Sequence, residues 1–382
     1  MIFIVRVSDG ERLSYSHKIF IDVKIFDSMR MNHIVSAILS LCAAVSCTVS
    51  SFAESRIAPD NRNIVIEGAR HIKYTDGKAV INRFSDEMWG REDLNNFVPK
   101  KASTQTCVRV IFKTDSRIVK PVFTEREDAD LRNMTNFYGV YRNGAFVGDF
   151  SGKELVLESD GGVTEWEIVL PIYYGVEFGG LVVDDGARLY KVKRPKRPVY
   201  FAIGDSITHG AGQDRCGSNG SYAYTVASEN GYDIYNLAVG GSQISPAIAG
   251  ELKGIKADII TVLWGYNDWN GLKGDINEIS RRYRSLVSAL RKVQPKARIY
   301  CIMPTTSANE SGTVGKKAPG RPLGDVRDAE RSIVQSFIDK GDRNLFIIEG
   351  DALSAVEDLK GAVHFNNDGA KKFGKALAKL IQ

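Results

Sequence analysis

The chain has 382 residues, of which 43% are hydrophobic and 25% are charged, a composition typical of a globular protein long enough for two domains. Its 51 basic and 46 acidic residues give a net charge of +5, which is too balanced to favour nucleic-acid binding. The five cysteines include no CxxC pair, so the sequence does not support a zinc or redox centre.

Residues 1–53 are predicted to be a leader. The stretch Met29 to Ala53 combines a basic start, an apolar run and small residues at its end, which is the pattern of a signal peptide, and the run is too short to span a membrane. The residues before Met29 are interpreted as an extension, with the true start at Met29 or Met31. Alternatively, Ala44-Val45-Ser46-Cys47 resembles a lipobox, and Cys47 would carry a lipid anchor. Both interpretations predict a secreted or periplasmic protein.

Residues 54–194 are predicted to form an accessory all-β domain. Short alternating segments are separated by turn residues, and Asn143-Gly144 favours a type I′ hairpin. No long helical period interrupts them, so we expect a sandwich of jelly-roll type, with Trp166 and Tyr173 in its core. The clearest predicted strands are Val108 to Phe112, Ile118 to Phe123, Phe137 to Tyr141, Leu155 to Leu157 and Glu165 to Leu170.

Residues 195–382 are predicted to form the catalytic domain. After Arg194-Pro195-Lys196-Arg197-Pro198, apolar strands alternate with amphipathic helices, which predicts a parallel sheet with helices on both faces. The predicted strands are Val199 to Ile203, Ile234 to Leu237, Ile259 to Trp264, Ile299 to Met303 and Leu345 to Ile348. The predicted helices are Tyr222 to Glu229, Asp275 to Val293, Val326 to Asp339 and Asp368 to Leu380.

The first of these strands leads directly to a candidate nucleophile. It ends at Gly204-Asp205-Ser206, which places Ser206 at the carboxyl edge of the sheet, where open α/β sheets bind ligands. A serine needs a base and an oxyanion site to react. His364 follows the last strand and is predicted to be the base, whereas His209 lies near the pocket or along its rim and His71 has no visible relation to it.

Two further motifs offer oxyanion donors. The block Asn236 to Ser242 follows the second strand, and its paired glycines allow a backbone N–H to face a ligand. Asn267 follows the third strand and offers a side-chain amide. Either motif alone is weak, but their joint position with Ser206 and His364 after strands of one sheet is a much stronger indication of a catalytic site.

The blocks GDSI, NLAVGGS, GYND and VHFN, in this order and spacing, resemble the SGNH (GDSL) hydrolase family of esterases and lipases. The resemblance runs from Pro198 to the C-terminus and implies a three-layer, flavodoxin-like α/β/α domain. It implies that Ser206 is the nucleophile and His364 the general base. The N–H groups of Ser206 and Gly241 and the Asn267 amide would form the oxyanion hole, with no metal or organic cofactor.

The chain departs from the family pattern at one position. The family usually carries aspartate three residues before the histidine, where this chain has Gly361. Asp358 or Glu357 would then orient the imidazole, or a backbone carbonyl would hold it in a Ser–His dyad, which we favour. Gly240 stays an alternative to Gly241 as the glycine that supplies a backbone N–H to the oxyanion hole. Asp205 and Asp268 are expected to hydrogen-bond within their own loops.

The substrate is predicted from the arrangement of the two domains. A β-domain before an SGNH domain resembles bacterial carbohydrate esterases, and this resemblance implies removal of acetyl groups from a polysaccharide or an oligosaccharide. Another small ester is the wider class of substrate. Tyr266 and Trp269 either stack on a sugar or pack their loop, and Lys316, Lys317 and Arg321 either meet an acidic glycan or are solvated. A lipase or thioesterase, and a non-catalytic glycan-binding protein, remain alternatives.

Overall fold

The computed structural model describes residues 54–89, 91, 93–151, 155–313 and 319–381. The predicted leader with Cys47, and also Lys316 and Lys317, lie outside the described residues. Residues Ala53–Gln382 form one compact unit. No helix in the described ranges is long and apolar enough to cross a membrane.

The N-terminal part of this unit is an antiparallel β-rich region. Its strands are β1 (Glu54–Ile57), β2 (Val65–Glu67), β3 (His71–Thr75), β4 (Lys78–Asn82), β5 (Arg109–Thr114), β6 (Ile118–Glu125), β7 (Phe137–Arg142), β8 (Ala145–Ser151), β9 (Leu157–Glu158), β10 (Thr164–Val169), β11 (Val176–Asp184) and β12 (Leu189–Tyr190). One sheet has the order β3-β4-β11-β6-β9 with β1 beside β11, and the other has the order β12-β5-β10-β7-β8 with β2 beside β5.

Both sheets contribute to one hydrophobic core, because alternate side chains of each strand point inward. Ile81, Phe112, Ile168 and Phe178 are fully buried in it. The hairpin at Asn143-Gly144 is confirmed, since these residues have φ of 51° and 81°. The predicted β-rich region is thus confirmed, whereas its jelly-roll form stays a prediction.

The C-terminal part contains the predicted parallel sheet. Its strands are β13 (Val199–Gly204), β14 (Asp233–Asn236), β15 (Ile259–Leu263), β16 (Arg298–Ile302) and β17 (Leu345–Ile348), in the order β14-β13-β15-β16-β17. A short hairpin follows, made of β18 (Leu359–Lys360) and β19 (His364–Phe365). All five sheet strands were predicted from the sequence to within one residue at each end.

The helices are α1 (Pro99–Ala102), α2 (Ser206–His209), α3 (Tyr222–Asn230), α4 (Tyr266–Gly271), α5 (Ile276–Val293), α6 (Leu323–Ile338) and α7 (Asn367–Leu380). Short 3₁₀ turns lie at Asp86–Met88, Asn133–Thr135, Ser218–Gly220, Pro246–Leu252, Asp351–Leu353 and Val356–Asp358. The four helices predicted from the sequence correspond to α3, α5, α6 and α7.

The parallel sheet is apolar on both faces, which explains its continuous hydrophobic strands. Phe201 and Ile203 of β13 share a core with α5 and α6, whereas Tyr200 and Ala202 share a core with α3 and α7. The loops at the carboxyl ends of the strands therefore remain to build a site. The three-layer description stays a prediction.

Candidate active site

Ser206 lies where β13 ends and α2 begins. Gly204 has to be a glycine, because a Cβ there would collide with the Leu263 carbonyl and the Thr208 side chain. The Asp205 carboxylate then caps α2 by accepting a hydrogen bond from the Ile207 N–H at 3.0 Å. This sharp turn from strand to helix holds the Ser206 hydroxyl at the carboxyl edge of the sheet.

His364 approaches Ser206 from the hairpin β18–β19. Its Nε2 atom lies 2.8 Å from the Ser206 Oγ atom, although the two residues are 158 positions apart. Burial lowers the pKa of His364, and the charges of Arg132 and Lys101 lower it further. The imidazole is therefore neutral at neutral pH and can accept the serine proton.

The predicted orienting carboxylates do not reach this histidine. The Asp358 carboxylate accepts hydrogen bonds from the Ala355 N–H at 3.0 Å and from Lys372 Nζ at 2.9 and 3.0 Å. No hydrogen bond to His364 Nδ1 is formed by any residue that the structure describes. Gly361 has φ of 76° in the turn of the hairpin, a conformation that favours glycine. This geometry favours a Ser–His dyad.

Asp358→Asn is therefore expected to leave kcat for ester hydrolysis within about threefold of wild type, because a triad aspartate would cost about 10⁴-fold. The measurement is steady-state hydrolysis of 4-nitrophenyl acetate. Lys372→Met, which removes the other half of the same ion pair, is the matched control. A loss of several orders of magnitude in Asp358→Asn alone would restore Asp358 as the orienting residue.

The two glycines of the NLAVGGS block differ in their hydrogen bonds. The Gly240 N–H donates to His209 Nδ1 at 3.2 Å, so it is not free to face a ligand. Gly241 has φ of 88°, and no described residue accepts a hydrogen bond from its N–H. Of the alternatives left open by the sequence, the geometry favours Gly241 as the oxyanion donor.

Asn267 lies in the first turn of α4, where its amide is already engaged. Its Nδ2 atom donates to Asp205 Oδ2 and to the Ser242 carbonyl, each at 3.1 Å. The Ser242 carbonyl also accepts from Trp264 Nε1 at 3.1 Å. Transfer of one Asn267 hydrogen to an oxyanion would therefore leave the Ser242 carbonyl still paired.

The structure corrects one prediction from the GYND block and decides between the two alternatives left open for Trp269. Asp268 was expected to bond within its own loop, but its carboxylate accepts from the Ile244 N–H at 3.0 Å and so ties α4 to the segment after the paired glycines. Burial raises the pKa of Asp268 to about 7. Trp269 is fully buried and donates to the Arg321 carbonyl at 2.8 Å. It packs its loop and cannot stack on a sugar, whereas Tyr266 is half-buried beside it.

His209 does not line the pocket but supports it from behind. Its ring is fully buried and stacks on Tyr173 at 4.1 Å between ring centroids. Its Nε2 atom lies 2.9 Å from Thr104 Oγ1, and burial lowers its pKa well below the ordinary value. A neutral ring with Nε2 protonated can donate to Thr104 and accept from Gly240, which holds the paired glycines in place.

The β-rich region also holds the segment 236–242, which we name the oxyanion loop. Three side chains of the β-rich region donate hydrogen bonds of 2.7–2.8 Å to carbonyls of the oxyanion loop: Arg83, Asn96 and Lys101. The acceptors are the carbonyls of Asn236 and Ala238 for Arg83, of Gly241 for Asn96, and of Gly240 for Lys101. The sequence analysis missed these residues because they lie 139–155 positions before the loop and belong to no motif.

No group of three or more His, Cys, Asp or Glu side chains in the described ranges is arranged to hold a metal ion. Cys107, Cys216 and Cys301 are buried free thiols, as the sequence predicted for Cys301.

The chain is similar in fold to several solved structures. The salicylyl-acyltransferase SsfX3 from a tetracycline biosynthetic pathway is 18% identical, with a TM-score of 0.72 over 86% of this chain and 97% of that chain. A putative GDSL-like lipase from Bacteroides ovatus is 19% identical, with a TM-score of 0.69 over 86% and 99%. A family two carbohydrate esterase from Clostridium thermocellum is 15% identical, with a TM-score of 0.58 over 83% and 97%.

At these identities the similarity concerns the fold, and its coverage includes the β-rich region as well as the parallel sheet. A comparison with curated protein sequences gives no match. The model of the GDSL-like Lipase/Acylhydrolase family matches residues 202–372, a range that includes Ser206, the oxyanion loop, Asn267 and His364. This part of the chain is therefore a GDSL (SGNH) lipase-acylhydrolase domain.

Proposed function

We propose that the protein is a serine esterase that removes acetyl groups from a carbohydrate through a Ser–His dyad. The observation that carries the proposal is the 2.8 Å contact between Ser206 Oγ and His364 Nε2 at the carboxyl edge of the parallel sheet. A serine paired with a neutral histidine, beside an unpaired backbone N–H, is the minimum arrangement for nucleophilic acyl transfer.

The reaction proceeds in two steps. Ser206 Oγ attacks the ester carbonyl while His364 Nε2 takes its proton, and the negative oxygen is stabilised by the N–H groups of Ser206 and Gly241 and by the Asn267 amide. His364 returns the proton to the leaving alcohol as the tetrahedral intermediate collapses to an acyl-enzyme. A water molecule then attacks the acyl-enzyme while His364 takes its proton, and His364 returns this proton to Ser206 Oγ as the acid leaves.

The carbohydrate part of the proposal is supported by the fold that the chain shares with the Clostridium thermocellum carbohydrate esterase. The predicted signal peptide adds that the enzyme works outside the cytoplasm. A lipase or thioesterase would differ in its preference for long acyl chains.

The proposal is tested by covalent labelling together with acyl-chain selectivity. A fluorophosphonate probe is expected to attach one phosphonyl group to the peptide that contains Ser206, with loss of fluoride, because only an activated serine reacts with it. Mass spectrometry of the peptide detects the added group. Turnover of 4-nitrophenyl acetate is expected to exceed that of the octanoate, and acetate is expected to be released from acetylated polysaccharides. Ser206→Ala should lose both labelling and turnover, whereas Ser285→Ala, on the exposed face of α5, is the matched control.

A folded protein that neither reacts with the probe nor hydrolyses any ester would instead be a glycan-binding protein. Faster turnover of the octanoate than of the acetate would replace the acetylesterase by a lipase or thioesterase.

A further inference from the structure

Two cations from the β-rich region lie near the oxyanion loop, one against its paired glycines and the other on the ring of Tyr173. Lys101 Nζ donates to the Gly240 carbonyl at 2.8 Å and lies 3.4 Å from the point at which a side chain on Gly241 would begin. The Arg132 guanidinium lies 4.1 Å above the ring of Tyr173, and the Tyr173 hydroxyl fills the space where a side chain on Gly240 would begin. Lys101 therefore borders the paired glycines of the oxyanion loop directly, and Arg132 is separated from them by the ring of Tyr173.

Both cations are held in place but keep free donors. Arg132 pairs with Asp130 through one nitrogen at 3.1 Å, and its side chain is 48% exposed. Lys101 is half-buried and uses one of its three N–H groups for the Gly240 carbonyl. Lys101, Arg132 and Asp130 act on one another electrostatically, and two cations with one carboxylate leave one positive charge in excess.

This charge opposes the reaction when the site is empty. His364 must become positive when it takes the serine proton, yet the charges of Arg132 and Lys101 lower its pKa and so disfavour the positive form. No carboxylate in the part of the chain that the structure describes hydrogen-bonds to its Nδ1 atom. An anion bound at the two cations would remove this repulsion and stabilise the imidazolium in the transition state.

We propose that Lys101 and Arg132 form a carboxylate-binding subsite, so that the preferred substrate is an ester that carries a carboxylate near its acyl group. The inference rests on the proposed esterase function and adds a substrate class to it. The arginine fork suits a carboxylate because it can donate two parallel hydrogen bonds. The carboxylate comes from either the sugar, as in an acetylated uronate, or the acyl group, as in a half-ester of a dicarboxylic acid.

The test measures kcat/KM for two matched substrate pairs that separate these sources. The first pair is the methyl glycoside of an O-acetylated glucuronate and that of the corresponding O-acetylated glucose, and the second is 4-nitrophenyl hemisuccinate and 4-nitrophenyl acetate. For one pair, the acidic substrate is expected to be about 10- to 100-fold better, the range of one charge-assisted hydrogen-bond pair. This ratio should fall towards one in Arg132→Gln and should shrink as the salt concentration rises.

Lys100→Gln is the matched control, because it removes the same charge from an exposed neighbour of Lys101 that is not part of the proposed subsite. A second readout is the pH at which kcat reaches half of its plateau on the acid side, which reports the pKa of His364 in the enzyme–substrate complex. This midpoint should lie at higher pH with the acidic substrate than with its neutral partner, because the bound anion offsets the charges of Arg132 and Lys101.

If kcat/KM is the same for the acidic and the neutral substrate in both pairs, or if the preference persists in Arg132→Gln, the carboxylate subsite is wrong. Hydrolysis of the neutral acetates would still support the esterase function in that case. If no ester is hydrolysed and Ser206 is not labelled, the proposed function fails. Binding of the acetylated glucuronide and of a hemisuccinate to the Ser206→Ala variant, measured by calorimetry, then still decides the subsite. Binding of one of them that weakens about tenfold or more in the Ser206→Ala/Arg132→Gln double variant supports it, and equal binding overturns it.

Discussion

His364→Ala is expected to lower kcat for ester hydrolysis by about 10²- to 10⁴-fold, the range associated with loss of a general base. The reason is local: His364 Nε2 is 2.8 Å from Ser206 Oγ, and a serine hydroxyl without a base is a poor nucleophile. The oxyanion donors stay in place, so residual turnover above the uncatalysed rate is expected to persist. Steady-state and burst kinetics with 4-nitrophenyl acetate measure the loss.

The pH profile separates a lost base from a disturbed fold. Since burial, Arg132 and Lys101 lower the pKa of His364, wild-type kcat/KM should rise with pH through a midpoint below 6.5 and stay level above it. The residual activity of His364→Ala should lack this step. His71→Ala is the matched control, because this half-buried histidine lies on β3, outside the residues that form the site. An unchanged kcat, or an unchanged acid limb, in His364→Ala would remove His364 from the mechanism.

Arg83→Met is expected to reduce the free energy of unfolding by about 3–5 kcal/mol, because each buried carbonyl left without a donor costs about 1–3 kcal/mol. The Arg83 side chain is fully buried, and its guanidinium donates to four carbonyls: those of Thr104, Asn236, Ala238 and, more weakly, Lys101. Burial lowers the pKa of Arg83 to about 10, so it is still charged at neutral pH. Urea unfolding followed by fluorescence measures the change.

Asn96→Ala tests how the β-rich region holds the oxyanion loop, without a large loss of stability. The Asn96 side chain is exposed, and its amide donates to the Gly241 carbonyl at 2.7 Å. We expect a kcat reduced by about tenfold with little change in KM, because a displaced oxyanion donor is felt mainly in the transition state. Arg70→Ala is the control, since it removes a bond from the β-rich region to the Lys253 carbonyl, outside the oxyanion loop. Equal kcat values in Asn96→Ala and Arg70→Ala would contradict a positioning role for the β-rich region.

The five parallel strands could be predicted because each is mainly apolar and is bounded by polar or turn residues. The strands β1 to β4, β8, β11 and β12 were not predicted, since they are short or contain polar and glycine residues that interrupt the alternation. Ser206 and His364 could be proposed from their positions after strands of one sheet. The choice between Gly240 and Gly241 could not be made, because it depends on the ring orientation of His209.

The long-range contacts lie beyond such reasoning. Arg83, Asn96 and Lys101 resemble ordinary surface residues in the sequence, and only the packing of the β-rich region against the oxyanion loop gives them partners. The carboxylate of Asp358 shows the opposite limit: it is close to His364 in the chain, yet it is taken up by Lys372.

The bonds from Arg83 to the Asn236 and Ala238 carbonyls span 153 and 155 positions. During synthesis Arg83 is therefore made before the carbonyls to which it donates, because these carbonyls follow with the second strand of the parallel sheet. The donors that hold the oxyanion loop lie in the β-rich region, whereas the carbonyls that they hold belong to the other half of the unit. Replacement of the β-rich region by an unrelated module would therefore remove side chains that hold this loop.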